Sequence, residues 1–190
     1  MHFIGHFKTI TRHKILVAKG CFKLGLYYQG IMHDMSKYSL TEFLVGAKYY
    51  QGTASPNNAE RMDKGISTAW LHHKGRNRHH FEYWIDYSMQ ALPGGMAPVP
   101  MPDRYIAEMI MDRIAASKVY MGDKYTDRSP LDYYYRGTDK APIHPKTKAK
   151  LLYVLEMLAE QGEEKTFQFI KEELVQHKRC MDWHQLGKAE

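Results

Sequence analysis

FIGHFKTITRHKILVAKGCFKL, residues 3–24, opens the chain with apolar side chains that recur at three- and four-residue steps. Phe7, Ile10 and Val17 belong to this series, and the spacing is typical of an amphipathic helix with one core-facing stripe. His13 falls in the same stripe. An imidazole that faces the core must be hydrogen-bonded or bind something, because an unsatisfied polar group in the interior is costly. The stretch therefore predicts a helix, with His13 either a hydrogen-bonded core residue or a ligand.

Helical patterns with start and stop signals continue along the rest of the chain. A short apolar segment that ends near Lys37 follows the first helix. Ser39 is then the N-cap of a capping box in which the Glu42 side chain is expected to reach back, and this helix runs to about Tyr50. Later helices are predicted from Asn57 or Asn58 towards His72 and His73, from His79 to about Leu92, from the cap Asp103 past Asp112 to Val119, over 146–161 and over 166–178.

The fold class that follows is all-α, with one domain over residues 1–190. No alternating β pattern of useful length, no repeat and no linker is visible in the sequence. A bundle of about six to eight helices is therefore expected. Residues 93–102 contain four prolines, which remove backbone donors and fix φ, so this segment is predicted to be an ordered loop or a mobile lid. Residues 180–190 are expected to form a flexible tail.

The composition favours a soluble, cytoplasmic protein with an anionic ligand. The sequence has 27 Lys and Arg against 21 Asp and Glu, a net charge of +6. This charge suits a phosphate-bearing ligand but is too mild to indicate nucleic acid. No apolar run approaches the ~18 residues that a membrane span needs, and no signal-peptide core is present, so no membrane partner is expected. A homo-oligomer is left open.

Eleven histidines and two cysteines without a CxxC motif favour an imidazole and carboxylate metal site over a thiolate site. His33 and Asp34 are adjacent, and neighbouring side chains on a helix point about 100° apart, so they converge only on an object between them, such as a metal ion. The polar residues that the helical pattern turns inward are His13, His33, Asp34, Asp112 and one or more of His72, His73, His79 and His80. Such a ligand set suits Mn, Fe, Ni, Co or Zn, with Mg as a further option.

This arrangement resembles the HD-domain superfamily of metal-dependent phosphohydrolases. The pattern of that superfamily is a His, a His-Asp pair about twenty residues later and a distant helical Asp, matched here by His13, His33-Asp34 and Asp112. The resemblance implies an HD-like helical fold with one or two divalent ions. It implies one ion held by His13, His33, Asp34 and Asp112. It implies a second ion held by His73 and by His79 or His80, with Asp34 as the bridge.

Two shorter motifs refine the resemblance. The His-Asp-x-x-Lys form at 33–37 and His-His-Phe-Glu at 79–82 are similar to motifs of the HD-GYP branch. The Asp-Gly-x-Gly-Tyr-Pro continuation is missing and Glu82 is shifted by one, so a cyclic-dinucleotide substrate is not supported. The arrangement His-His-x-x-x-Asn-x-His-His-x-Glu-x-Trp at 72–84, with Ile-His-Pro-Lys-Thr at 143–147, resembles the uncharacterised family DUF5662 over most of the chain. That second resemblance implies no known reaction.

The superfamily resemblance implies hydrolysis of a small phosphorylated metabolite or nucleotide by a metal-activated water. Asp34 is then the catalytic bridging ligand, and Lys37, one turn on, holds a phosphate or the leaving oxygen. Further substrate contacts are expected from Lys74, Arg76, Arg78, Lys118 and His144. The alternative for the four cations is a solvated surface charge, and for His144 it is a helix cap.

Two other functions remain compatible with the sequence. Some HD-fold proteins with two extra histidines hold a di-iron centre and oxidise an organic substrate with O₂, and His/Asp ligation suits this chemistry as well. A non-catalytic module that binds a nucleotide or a partner, with a vestigial metal site, would also fit the positive charge and the basic turn at 74–78.

Overall fold

The computed structural model of the protein describes residues 1–89, 93–137, 141–178 and 183. Its elements in chain order are α1 (Phe3–Leu24), α2 (Tyr27–Met32), α3 (Leu40–Lys48), α4 (Pro56–Lys64), α5 (Thr68–Lys74), β1 (Ile85–Tyr87), β2 (Met96–Pro98), α6 (Asp103–Met121), α7 (Ser129–Tyr135) and α8 (Pro145–Phe169). Short 3₁₀ turns cover Met35–Tyr38, Phe81–Tyr83, Pro93–Gly95 and Gly122–Lys124, and a π-helical turn, Ile170–Val175, follows α8. The predicted all-α, single-domain fold is confirmed.

The hydrophobic core lies between α1, α6 and α8. Val17 and Cys21 of α1, Ile110 of α6 and Leu155 of α8 have no exposed surface. The most extensive contact between two elements is the one between α1 and α6. His13 lies on the buried face of α1, as its place in the apolar stripe predicts. Core packing therefore fixes the two helices that carry the first and the last of the predicted metal ligands.

The helix predicted from His79 to Leu92 is wrong. Phe81–Tyr83 is a 3₁₀ turn, and β1 then pairs antiparallel with β2, with Ile85 opposite Pro98. Residues 90–92 lie outside the described part of the chain. A two-stranded hairpin has only outer edges, where a proline without an N–H is tolerated. The proline-rich segment 93–102 is thus partly a short strand and not wholly a loop.

The capping box at the start of α3 is half correct. Ser39 is the N-cap, and its hydroxyl accepts a hydrogen bond from the backbone N–H of Glu42 at 3.5 Å. The Glu42 side chain does not reach back to Ser39, because its two oxygens accept hydrogen bonds from His72 and His73. A residue that the sequence assigned to a helix end therefore belongs to the surroundings of the site.

Two other predicted caps are shifted along the chain. Ser55 is the N-cap of α4, and Asn57 and Asn58 lie inside its first turn. A proline follows Ser55, and proline favours the first helical position, which explains the earlier start. Pro102 occupies the N-cap position of α6, and Asp103 is its first helical residue, where a carboxylate still complements the positive end of the helix dipole.

The C-terminal helical region bends at Gly162, which has φ 79° and ψ 173°. The predicted break between two helices at this glycine is therefore present, although helical structure resumes at once and runs to Val175. Of the predicted flexible tail, 180–190, all but residue 183 lies outside the described residues. Among the helices that the structure describes, none combines the length and the apolar character needed to cross a membrane.

Gly46 provides a stability test of the contact between α1 and α3. A Cβ atom at this position would overlap the imidazole of His6, which is buried against Phe43 and Tyr50. We expect Gly46→Ala to lower the free energy of unfolding by about 1–3 kcal/mol through overpacking, only partly offset by the ~1 kcal/mol helix preference of alanine. Thermal unfolding measures this change, with Gly137→Ala as the control, because a Cβ at Gly137 meets nothing within 4 Å. An unchanged or higher Tm for Gly46→Ala would show that His6 can move aside.

Candidate metal centre

His33 and Asp34 lie in a break between two helices and not on one helix. His33 is the C-cap of α2 with ψ 126°, and Asp34 has φ 54° in the left-handed region. A non-glycine residue in this region is unusual and persists where the surroundings hold it. Lys14 does so from α1, because its Nζ donates to the carbonyls of Ile31 at 2.5 Å and His33 at 2.8 Å. The break turns both side chains towards the same buried point.

The first group of predicted ligands comes together as the sequence indicates. The group consists of His13, His33, Asp34 and Asp112, and one ligand atom of each lies within 4.8 Å of the others. His13 Nε2 is 2.9 Å from Asp112 Oδ1, and His33 Nε2 is 3.2 Å from Asp34 Oδ2. Three separate elements, α1, the turn after α2, and α6, therefore supply one set of nitrogen and oxygen atoms of the kind that holds a divalent cation.

The second group resolves the histidine doublets that the sequence left open. It contains Asp34, His73, His79 and His80, again with one atom of each within 4.8 Å of the others. His73 Nε2 is 3.2 Å and His79 Nε2 is 3.5 Å from Asp34 Oδ1, while His73 Nε2 is 2.9 Å from His80 Nε2. His72 is not a member. Asp34 therefore presents Oδ2 to the first group and Oδ1 to the second, as a bridging carboxylate does.

Two buried carboxylates that were not predicted as site residues contact the outer nitrogen atoms of the imidazoles. Glu108 Oε1 is 2.9 Å from His33 Nδ1 and 3.1 Å from His79 Nδ1. Glu42 Oε2 is 2.8 Å from His73 Nδ1. Outer carboxylates of this kind orient metal-binding histidines. A signal for Glu108 was present, since it lies four residues before Asp112 and thus on the same face of α6, whereas Glu42 was hidden by its capping-box position.

The carboxylates fix where the imidazole lone pairs point. A carboxylate only accepts hydrogen bonds, so the Nδ1 atoms of His33, His73 and His79 are donors, and in the neutral ring Nε2 keeps its lone pair. These Nε2 atoms all face Asp34. Asp34 Oδ1 and His79 Nε2 are buried without a hydrogen-bond partner. The lone pair of His79 Nε2 and the orphaned Asp34 oxygen are poorly compatible with each other alone, and both fit a cation placed between them.

The charges of the first group show the same preference for positive charge at the centre. Burial would raise the pKa of Asp34, but His33 and Lys37 hold it well below its usual range. Burial likewise opposes the shift at Asp112, whose pKa is lowered by hydrogen bonds from His13 and His33. Despite its own burial, His33 has a raised pKa because Asp34 and Asp112 stabilise its protonated form. A proton on His33 and a cation therefore compete for one position.

Lys37 lies at the edge of the centre, as predicted. Its Nζ is 2.5 Å from Asp34 Oδ2, and its side chain is 27% exposed. Burial would lower the Lys37 pKa, but the charges of Asp34 and Asp112 raise it, so the side chain stays a cation. Tyr120 of α6 is half-buried within the electrostatic influence of Lys37 and Asp112, and burial raises its pKa. Lys37 is thus the predicted substrate cation that the structure brings to the ligand groups.

The structure gives the other predicted substrate contacts different partners. Arg76 is exposed and donates to the carbonyl of His72, and exposed Arg78 donates to the hydroxyl of Tyr105. Lys118 pairs with Glu163 and lies over the ring of Tyr125. His144 is the N-cap of α8, where its Nδ1 accepts from the N–H of Lys146, so the alternative of a helix cap is confirmed. Half-buried Lys74 lies close enough to Glu82 to oppose the burial that raises the pKa of that carboxyl.

The fold and the site together define a helical protein with buried clusters of imidazoles and carboxylates that could hold a metal ion. The chain belongs to DUF5662, a family of unknown function whose sequence model matches residues 2–157. The match spans every residue of both ligand groups. Neither the curated proteins nor the solved structures contain a match to this chain. Membership of DUF5662 is therefore confirmed, while the relationship to the HD-domain superfamily stays a prediction.

Proposed function

We propose that the protein is a metal-dependent phosphohydrolase that acts on a small phosphorylated metabolite or nucleotide. The observation that carries the proposal is the placement of Asp34, whose two oxygens face two separate groups of imidazole and carboxylate ligands. One or two divalent ions held there would activate a water and neutralise charge on phosphoryl oxygens. The order of the ligands along the chain, which resembles the HD-domain pattern, supports the same reaction class.

Residues around the ligand groups would orient the histidines and bind the substrate. Glu108 and Glu42 hold His33 and His73 with Nε2 facing inward, so the ligand lone pairs are fixed before any substrate arrives. Lys37 keeps its positive charge beside Asp34, where it would bind a phosphoryl oxygen of the substrate or the oxygen of the leaving group. Preorganised charge of this kind costs no rearrangement during the reaction.

A phosphate-release assay tests the proposal. The protein is loaded separately with Mn²⁺, Co²⁺, Ni²⁺ or Mg²⁺ and supplied with a panel of nucleotides and phosphomonoesters. We expect release of inorganic phosphate from at least one substrate, abolished by a chelator and restored by adding the metal back. Lys165→Ala serves as the control variant, because Lys165 is an exposed residue of α8 with no predicted substrate contact, and its rate should equal that of the parent. The absence of phosphate release from every substrate of the panel, with metal-loaded protein, would contradict the proposal.

An HD-fold di-iron oxygenase is the second candidate. The observation that favours it is the nitrogen-rich second group, in which three imidazoles face a single carboxylate, because imidazole suits iron well. Elemental analysis of protein purified without added metal distinguishes the two candidates. Two irons per chain with a visible absorption band would support the oxygenase, and their absence would support the hydrolase.

A further inference from the structure

We infer that Glu108 is a positioning residue shared by both ligand groups, so that one carboxylate sets the affinity of both cation positions. The inference rests on the metal centre of the proposed function, and it concerns a residue that faces the Nδ1 atoms of two imidazoles, whereas their Nε2 atoms face Asp34. Its basis is one oxygen atom, Glu108 Oε1, which lies 2.9 Å from His33 Nδ1 and 3.1 Å from His79 Nδ1. His33 belongs to the first group and His79 to the second.

The surroundings of Glu108 make this link stiff. Glu108 is 5% exposed on α6, the helix that packs most extensively against α1. The rings of His33 and His79 lie against each other, with centroids 4.4 Å apart and planes 36° apart. Neither ring can rotate without losing its contact with the shared oxygen or striking the other ring. Loss of the Glu108 carboxylate therefore releases one ligand of each group at the same time.

Glu42 offers a matched comparison within the same protein. It is also a buried carboxylate, at 5% exposure, and it also accepts from two imidazoles. One of these is His73, a member of the second group, and the other is His72, which belongs to neither group. Loss of Glu42 therefore frees a ligand of the second group alone. The two carboxylates should differ in how many cation positions they affect and not in the kind of effect.

The test is a titration of metal-free protein with Co²⁺, in which calorimetry and the visible absorption of the bound ion measure each binding step. The parent should bind two ions per chain. Glu108→Ala should weaken both binding steps by about 10- to 100-fold, the usual effect of removing an outer-shell partner of a metal ligand. Glu42→Ala should weaken one step by a similar factor and leave the other within about twofold of the parent. Glu108→Gln keeps an oxygen that can accept from both N–H groups, and it should restore much of both affinities.

Several results would overturn the inference. These are a single ion in the parent, a loss confined to one binding step in Glu108→Ala, or equal loss of both steps in Glu42→Ala. Circular dichroism checks the fold of each variant. If Glu108→Ala fails to fold, Glu108→Gln decides, since a smaller loss must then appear in both steps together. The titration measures metal binding and not phosphate release. If Glu108→Ala weakens both binding steps but the parent releases no phosphate, the inference about Glu108 holds and only the proposed reaction is contradicted.

Discussion

Replacement of Asp34 by asparagine is expected to abolish metal-dependent phosphate release. Asp34 is 1% exposed and contributes an oxygen to each ligand group. An amide carries no negative charge and can offer only one oxygen, so it cannot serve two cations. A catalytic cation supplies several kcal/mol to the transition state, and each ~1.4 kcal/mol is tenfold in rate, so we expect a loss of about 10³-fold or more. Asparagine also tolerates the left-handed backbone that Asp34 adopts, which should preserve the fold.

Three measurements on Asp34→Asn separate the candidate functions. Phosphate release, bound metal per chain and Tm are compared with those of the parent and of Asp123→Asn, which removes the charge of an exposed aspartate in the turn after α6. Joint loss of metal and activity, with a Tm close to that of the parent, supports an enzyme. Full activity in Asp34→Asn would contradict the bridging role. A parent that binds nucleotide without releasing phosphate, and a variant that still binds it, would favour the non-catalytic module.

The sequence was sufficient to identify the ligand types and their order but not their local backbone. His13 and Asp112 lie on helices as predicted, and the backbone break at His33 and Asp34 turns those two side chains to the same point, so all four come together. The left-handed residue at Asp34 could not be foreseen, since the apolar spacing around it suits a continuous helix equally well. Membership of the histidine doublets depends on the direction of each ring, which only the packing of α5 and the following turn decides.

The carboxylates behind the histidines show a different limit of sequence reasoning. Glu108 and Glu42 are common helix residues whose usual role is on the surface or at a cap. Periodicity places Glu108 on the same face of α6 as Asp112, but the burial of both carboxylates results from pairing with imidazoles on other elements, which the spacing does not show. For Lys118 the error was the reverse, because it was predicted to contact the substrate from its place near Asp112 in the sequence, but it pairs with Glu163. Separation along the chain indicates helix membership but not the direction in which a long charged side chain points.

Glu60→Ala is expected to lower stability strongly, although Glu60 lies outside the centre. Glu60 has no exposed surface, and its oxygens accept hydrogen bonds from Ser67 at 2.7 Å, Thr68 at 2.8 Å and the backbone N–H of Ala69 at 3.4 Å. Truncation strands the buried donors of Ser67 and Ala69 at the start of α5, each at about 1–3 kcal/mol if no water replaces the carboxylate, whereas exposed Thr68 can donate to solvent instead. We expect a total near 3 kcal/mol, which corresponds to a Tm lower by about 6–12 °C for a chain of this size.

The same substitution links the fold to the candidate centre, because α5 carries His73. An α5 that frays at its first turn should hold His73 less firmly, so Glu60→Ala should lose Co²⁺ affinity in the second group and retain it in the first. Differential scanning calorimetry and the Co²⁺ titration measure the two effects on one sample. Glu160→Ala removes an exposed glutamate from α8 and should change Tm by no more than about 1–2 °C. If the Tm of Glu60→Ala also lies within about 1–2 °C of that of the parent, water satisfies the stranded donors. In that case α5 is held by its packing against α3 and not by its N-terminal hydrogen bonds.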